Sequence, residues 1–226
     1  DLGRNYKKIS SIVITLFISL LVLSTILTIE QSFKKELNDN ARSLLGGDLE
    51  IDYNRIPGNL TLVNKVKEFA TISQMVEFTT MLSTNNKENN QSIFTIIKTV
   101  DELYPLYGEV VYEPQGALQR IHQEQNTILV NENIYKTLQL KVNDKIKVQD
   151  QLFSVVGVIK SVPDVSGFVT FGDFALAGKQ TLQLLQLNNL GSFLNHEYKV
   201  RFPEGANTQV LRARIQKLFK EDKKVS

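Results

Sequence analysis

The 226-residue sequence has no cysteine. That excludes a disulfide scaffold and every thiolate metal site, and suits a bacterial envelope protein that folds by core packing alone. Histidine is nearly absent too. His122 and His196 stand alone in different segments, without metal-ligand spacing, and read as ordinary surface or boundary positions. No phosphate-binding glycine loop and no Gly-x-Ser-x-Gly elbow occurs, and no repeat of solenoid period. Excess positive charge is also scarce. Lys plus Arg total 26 against 24 carboxylates, and three of those cations (Arg4, Lys7, Lys8) lie in the first eight residues beside the single acid Asp1. The remainder is neutral, so no net basic surface is left for nucleic acid.

What is present begins at Ile9. Residues 9–29 hold no charge, proline or glycine. At ~1.5 Å per residue a helix of that length spans roughly 31 Å, the thickness of a bilayer core. Its Ser and Thr hydroxyls can bond back to the helix. A signal peptide would have a shorter apolar run and a small-residue cleavage site, whereas Glu30-Gln31-Ser32-Phe33-Lys34-Lys35 follows here. The expectation is a retained anchor, with Arg4, Lys7 and Lys8 as topology determinants in the cytoplasm and the bulk of the chain outside. The sequence starts without Met and ends in Lys223-Lys224-Val225-Ser226, as expected of a piece of a longer protein.

Helical spacing of Phe33, Leu37, Ala41, Leu44 and Leu45 predicts a stalk over 30–45, ended by Gly46-Gly47. Leu49, Ile51 and Tyr53 then alternate with Asp48, Glu50 and Asp52, which predicts a strand with its acids on a solvated face. Asn59 is placed to cap a helix bearing Leu60, Val63, Val66 and Phe69. Strands follow at about 73–83 and 92–99 around the polar tip Thr84–Asn90. The middle of the chain predicts a short strand at Thr127–Val130, a small helix capped by Asn131, and a strand at Leu152–Ile159, apolar on both faces and therefore central. Near the end, Tyr198, Val200 and Phe202 alternate, and a helix from about Asn207 to Lys220 carries Val210, Leu211, Ile215, Leu218 and Phe219 on one stripe.

The fold class expected is α+β: one transmembrane helix followed by a two-lobed extracytoplasmic domain. The segments are a cytoplasmic lead-in (1–8), the span (9–29), the stalk (30–45), a discontinuous α+β lobe (46–100 and 195–226) and an inserted β-rich lobe (101–194). No catalytic triad, cofactor site or metal site is apparent. The candidate contact for cargo or a partner is Pro163–Gly178, where Phe168, Phe171 and Phe174 recur every third residue among three glycines. The competing reading places these rings in the core of the β-rich lobe.

Three stretches carry a family likeness. They are the basic lead-in Arg4-Asn5-Tyr6-Lys7-Lys8, the run Leu44-Leu45-Gly46-Gly47-Asp48-Leu49-Glu50-Ile51, and an ordered series further on. That series is Ile128–Glu132, Leu138–Ile146 with Leu140-Lys141-Val142-Asn143-Asp144 at its turn, and Phe153–Ile159 with Val155-Val156-Gly157-Val158. The chain resembles the first segment of FtsX/MacB-family permeases of ATP-binding-cassette systems. Asn143 stands where that family usually has glycine, a mild change because Asn tolerates left-handed backbone. Pro163–Phe168 is similar to the large ten-helix permeases with two such periplasmic domains.

The resemblance implies a non-enzymatic membrane subunit whose motion is driven by a separate ATPase that binds the ATP. It implies a second permease copy or second half of the same permease, a possible periplasmic protein partner, and contact with membrane lipid. The expected location is the bacterial inner membrane, and the expected work is extraction or export of lipoproteins or hydrophobic cargo. The alternative is a membrane-anchored extracytoplasmic sensor or binding module; an anchored envelope enzyme would need a polar triad that is not apparent.

Overall fold

The computed structural model describes residues 10, 13–26, 28–30, 45–54, 58–85, 91–163, 172–187 and 194–220. Two compact units divide near residue 41. The first contains helix α1 (Val13–Glu30), with mean hydropathy 2.3 and no buried share, long and apolar enough to cross a membrane. Its hydroxyls turn inward on their own helix, as expected: Ser19 donates to the Thr15 carbonyl at 2.9 Å, Thr25 to Leu21 at 2.8 Å and Thr28 to Ser24 at 2.9 Å. Apart from its two ends, the predicted stalk lies outside the described residues, as does the lead-in 1–8.

The second unit is a mixed α+β domain built on one nine-stranded sheet. Its elements are β1 (Leu49–Asn54), α2 (Leu60–Lys67), β2 (Thr71–Thr84), β3 (Ser92–Val100), β4 (Val111–Glu113), α3 (Ala117–Gln123), β5 (Thr127–Asn131), α4 (Glu132–Thr137), β6 (Lys145–Val148), β7 (Gln151–Ser161), β8 (Phe174–Gly178), α5 (Thr181–Leu184), β9 (Asn195–Arg201) and α6 (Thr208–Phe219). The strand order is β1-β9-β2-β3-β8-β5-β7-β4, with β6 bridging β2 and β7. Those pairings carry β2, β3, β8, β5, β7 and β6 back to β2 in a closed six-stranded ring. Two of its strands come from residues 46–100 and four from 101–194.

Three apolar clusters follow from this geometry. Phe78, Leu82, Ile97, Ile128, Val130, Ile146, Phe153 and Val155 pack together as alternate residues of the ring strands, as small barrels require. A second cluster sets α3 (Ala117, Ile121) against Leu129, Val156, Phe174 and Leu176. In the third, α2 and α6 lay Val63, Val66, Ile215 and Phe219 on Ile51, Tyr53, Tyr198 and Val200. Strand β2 enters all three, through Ile72, Met75 and the run Val76–Leu82.

Two sequence expectations change here. The segment read as loop-like up to Gly178 ends in β8, whose five residues are all buried between β3 and β5. Three small residues there mute the strand signal that burial supplies. Val210, expected on the apolar stripe of α6, and Leu60, expected on that of α2, are exposed, while Val63, Val66, Ile215 and Phe219 are buried.

Candidate functional site

The chain passes into the domain through one tightly held residue. Leu45 is the last helical residue before Gly46, whose φ of 65° ends the helix. At Gly47 a side chain would meet the carbonyl oxygens of Leu49 and Val200 at 3.2 Å. Asp48 follows, 5% exposed. Its N–H donates to the Val200 carbonyl at 2.8 Å. Its carboxylate Oδ2 accepts from the Tyr107 hydroxyl at 2.7 Å and from the Phe202 N–H at 2.8 Å. Its own carbonyl accepts from Arg212 Nη2 of α6 at 2.7 Å. One residue thereby ties β1, the end of β9, the 101–110 segment and α6 together. Beside it lies a cavity of about 730 Å³ lined by Thr71, Leu106, Tyr107, Arg201 and Glu204 among others, and Arg201 donates to the Leu106 carbonyl across it at 3.3 Å.

Behind this junction, one face of the β1-β9-β2-β3 sheet carries charge instead of core. Strand register brings Glu50 opposite Lys199, Asp52 opposite Glu197, and Glu77 opposite Lys98. Lys98 and Lys199 are 2% and 1% exposed. Lys98 Nζ lies 3.0 Å from Glu77 Oε1, and Lys199 Nζ 2.5 Å from Glu50 Oε2. Both ammonium groups stand 3.9 Å from Glu197 Oε2, beyond hydrogen-bond reach. Four carboxylates thus share two lysines. Burial, only partly offset by Lys98, pushes the Glu197 carboxyl up to about 7. Asp52 is raised as well, by burial and then by Glu50 and Glu77. The acids of β1 are therefore half-buried among charged neighbours, where the sequence expectation was a solvated face. The alternation put Glu50, Asp52, Glu197 and Lys199 in phase on their strands, but only the register reveals that they pair.

A second groove, about 600 Å³, runs over Pro114, Tyr135, Val142 and Val158. Lys160 bonds Glu132 at its rim at 2.5 Å. Among the described residues no set of three or more His, Asp or Glu converges as a metal site. The junction and the charged face position backbone and lock strands; neither presents a nucleophile with a base.

Comparison with known proteins decides the kinship. The family described as MacB-like periplasmic core domain matches residues 9–218, nearly the whole chain, helix and domain in one run. The chain belongs to this family. A relative in Escherichia coli (strain K12), an uncharacterized ABC transporter permease called YbbP, is 24% identical over 191 residues. That alignment covers 84% of this chain and 22% of the relative, so the chain spans about a fifth of that permease's length. Among solved structures, the periplasmic region of MacB from Actinobacillus actinomycetemcomitans matches with a TM-score of 0.57 at 11% identity, covering 84% of this chain and 92% of that one. A domain of a putative permease from Porphyromonas gingivalis matches at 0.52 and 13%, covering 77% and 84%. The fold is that of a MacB-like periplasmic domain.

Within this MacB-like domain the sequence-predicted residues fare unequally. Phe174 opens β8 and is buried against Met75, Val100 and Leu176, so its ring belongs to the core reading and not to a contact surface. Phe168 and Phe171 lie outside the described residues, as do Arg4, Lys7 and Lys8. His122 is half-buried at a boundary, with burial lowering its pKa. His196, expected at the surface or a boundary, is buried between Tyr53 and Val76 in register, and neither ring nitrogen has a partner. Sequence reasoning missed Asp48 as an anchor, although its place directly after Gly-Gly was the available signal. It missed Lys98 and Tyr107 altogether, since only the pairing of distant strands gives them a role.

Proposed function

We propose that the chain is the first membrane span and the extracytoplasmic domain of an ABC transporter permease. In this reading a partner ATPase binds and hydrolyses ATP in the cytoplasm, and the resulting helix motion reaches the domain through the segment before Asp48. The family match running unbroken from residue 9 to 218, through the apolar helix and into the domain, carries the proposal. The name of the YbbP relative supports it, and the four-way tie at Asp48 supplies a place where a pull on the chain would be felt by β1, β9 and α6 at once.

The remainder of the proposal follows the same reading. The protein resides in the bacterial inner membrane with Arg4, Lys7 and Lys8 inside. It works beside a second permease copy or half, in contact with lipid and a periplasmic protein, and moves lipoprotein, lipid or other hydrophobic cargo. The domain divides into an α+β lobe (46–100 and 195–226) and a β-rich lobe (101–194), with Phe168 and Phe171 as the remaining aromatic contacts.

The test uses the full permease with its ATPase. Asp48→Ala should cut the transport phenotype about tenfold or more while basal ATP hydrolysis persists, since about 1.4 kcal/mol of lost coupling corresponds to a factor of ten. Unchanged transport would remove the junction from the mechanism. A reporter fused after Ser226 should be active only outside the cytoplasm; cytoplasmic activity would overturn the orientation and the transporter reading with it.

A further inference from the structure

The helical layer differs electrically from the rest of the chain. Residues 59–68 and 207–220, which hold α2 and α6, carry Lys65, Lys67, Arg212, Arg214, Lys217 and Lys220 against Glu68 alone. Taken from totals of 26 and 24, that leaves 20 cations and 23 carboxylates everywhere else. All six cations are exposed. No ion pair among the described residues engages any of them. Arg212 is held by the Asp48 carbonyl, and Arg214 lies 4.2 Å over the Phe69 ring. The four lysines are left to solvent. The buried faces of both helices are fixed on the sheet by Val63, Val66, Ile215 and Phe219, so the basic face cannot roll away. Leu60 on α2 and Val210 on α6 are also exposed, 61% and 59%.

We propose that this face of α2 and α6 docks on anionic lipid headgroups of the bilayer that α1 enters. Three observations favour lipid over an acidic protein. The 14 residues between Glu30 and Leu45 reach at most about 50 Å even when extended, so the headgroups are at high effective concentration. None of the domain's described cavities is lined by the four lysines. A protein partner would need a pocketed, desolvated anchor, whereas a headgroup plane asks only for charge and reach. Exposed Leu60 and Val210 on the same two helices as the lysines also suit the interface, where aliphatic stems lie in the apolar zone and ammonium groups meet phosphate. The cost to be overcome is Glu68 within the layer, Glu204 on the turn before α6, and Glu221 and Asp222, which follow Lys220 in sequence.

The test uses the whole chain in lipid nanodiscs of phosphatidylcholine, with or without about 30% phosphatidylglycerol. Acylation of Lys65, Lys67, Lys217 and Lys220 is followed by mass spectrometry, with exposed Lys147 on β6 as the internal control. The expected result is labelling about threefold slower or more in the anionic discs at the four lysines only, restored by about 0.5 M NaCl. Because the chain lacks cysteine, a fluorophore on Ala213→Cys reports the same face without lysine chemistry. Its quenching by headgroup-labelled lipid should vanish in the K65E/K67E/K217E/K220E variant, or in the four-glutamine variant should charge reversal disturb the circular dichroism. Equal labelling in both kinds of disc would overturn the proposal. So would protection that appears only on adding an acidic periplasmic protein, which would assign the face to a protein.

Discussion

Asp48 concentrates more of the domain's wiring than any neighbour, and its carboxylate is the only part a mutation can remove cleanly. With alanine there, the Phe202 N–H and the Tyr107 hydroxyl lose a charged acceptor in a buried setting. Such bonds are worth about 1.5–3 kcal/mol each, with overlap between the two, so Asp48→Ala should cost about 3 kcal/mol. Tyr107→Phe should cost about 1.5 kcal/mol, and the pair less than the sum. Urea melts of the four proteins check this; strict additivity would show that the two bonds do not share one anchor. Glu197 and His196 set opposing pH slopes. The Glu197 carboxyl, raised to about 7, holds its proton more tightly folded than unfolded. Its burial is therefore best tolerated below about pH 4.5, and stability is lost as pH rises from there through about 7. His196 is lowered by burial, so the unfolded chain takes up its proton first and stability falls with acid below about pH 6.5. Glu197→Gln should raise stability more at about pH 8 than at about pH 5 and leave the acid-side loss exposed. A variant whose pH dependence matched the parent's would remove Glu197 from the balance.

Helix caps and turns were legible because their chemistry is local. Asn59, Asn131 and Asn207 each accept N–H bonds from the first turn of the helix they start, and Asn143 adopts the left-handed φ of 75° that its turn requires. Strand β7 was legible as central because it is apolar on both faces, and β4, β5 and β6 pair with it. What stayed hidden depends on distant partners. Strand β8 is made a strand by β3 and β5, and α3 is two turns long, with only Ala117, Leu118 and Ile121 at helical spacing to announce it. Two glycines record how closely these hidden elements approach. A side chain at Gly178 would lie 2.1 Å from the Ile121 carbonyl at the end of α3, and one at Gly157 would lie 2.4 Å from that of Glu113. Backbone oxygens cannot swing aside, so Gly178→Ala and Gly157→Ala should each cost about 3 kcal/mol or more. At Gly205 there is nothing within 4 Å and φ is +76°, so alanine costs only the left-handed conformation, about 1 kcal/mol. Thermal melts would rank them; a Gly178→Ala domain as stable as Gly205→Ala would refute the close seat of α3 on β8.

Across the whole molecule, the sequence divided the chain by segment order, and the strand pairings run across that division. The boundary read between residues 100 and 101 follows the end of β3, yet β3 pairs with β8 from beyond it, and β2 closes the ring onto β6. Strand β2 spans 14 residues and gives side chains to all three apolar clusters. A strand shared in this way couples cores that the segment order keeps apart, because neither can lose its packing without releasing the other's hydrogen bonds. The extracytoplasmic unit is therefore expected to unfold in one transition. Ile97→Ala, in the ring, and Val66→Ala, under the helices, remove fully buried side chains and should cost about 2–5 and about 1–3 kcal/mol. Each should move the entire transition, seen alike by circular dichroism of the helices and by tyrosine fluorescence. If instead Val66→Ala melts the helical layer early and leaves the ring's transition in place, the two lobes are independent and β2 is a hinge between them. The distinction bears on the coupling proposed above: under that proposal a single cooperative body would pass a pull at Asp48 to the far end of β2, whereas two independent lobes would absorb it.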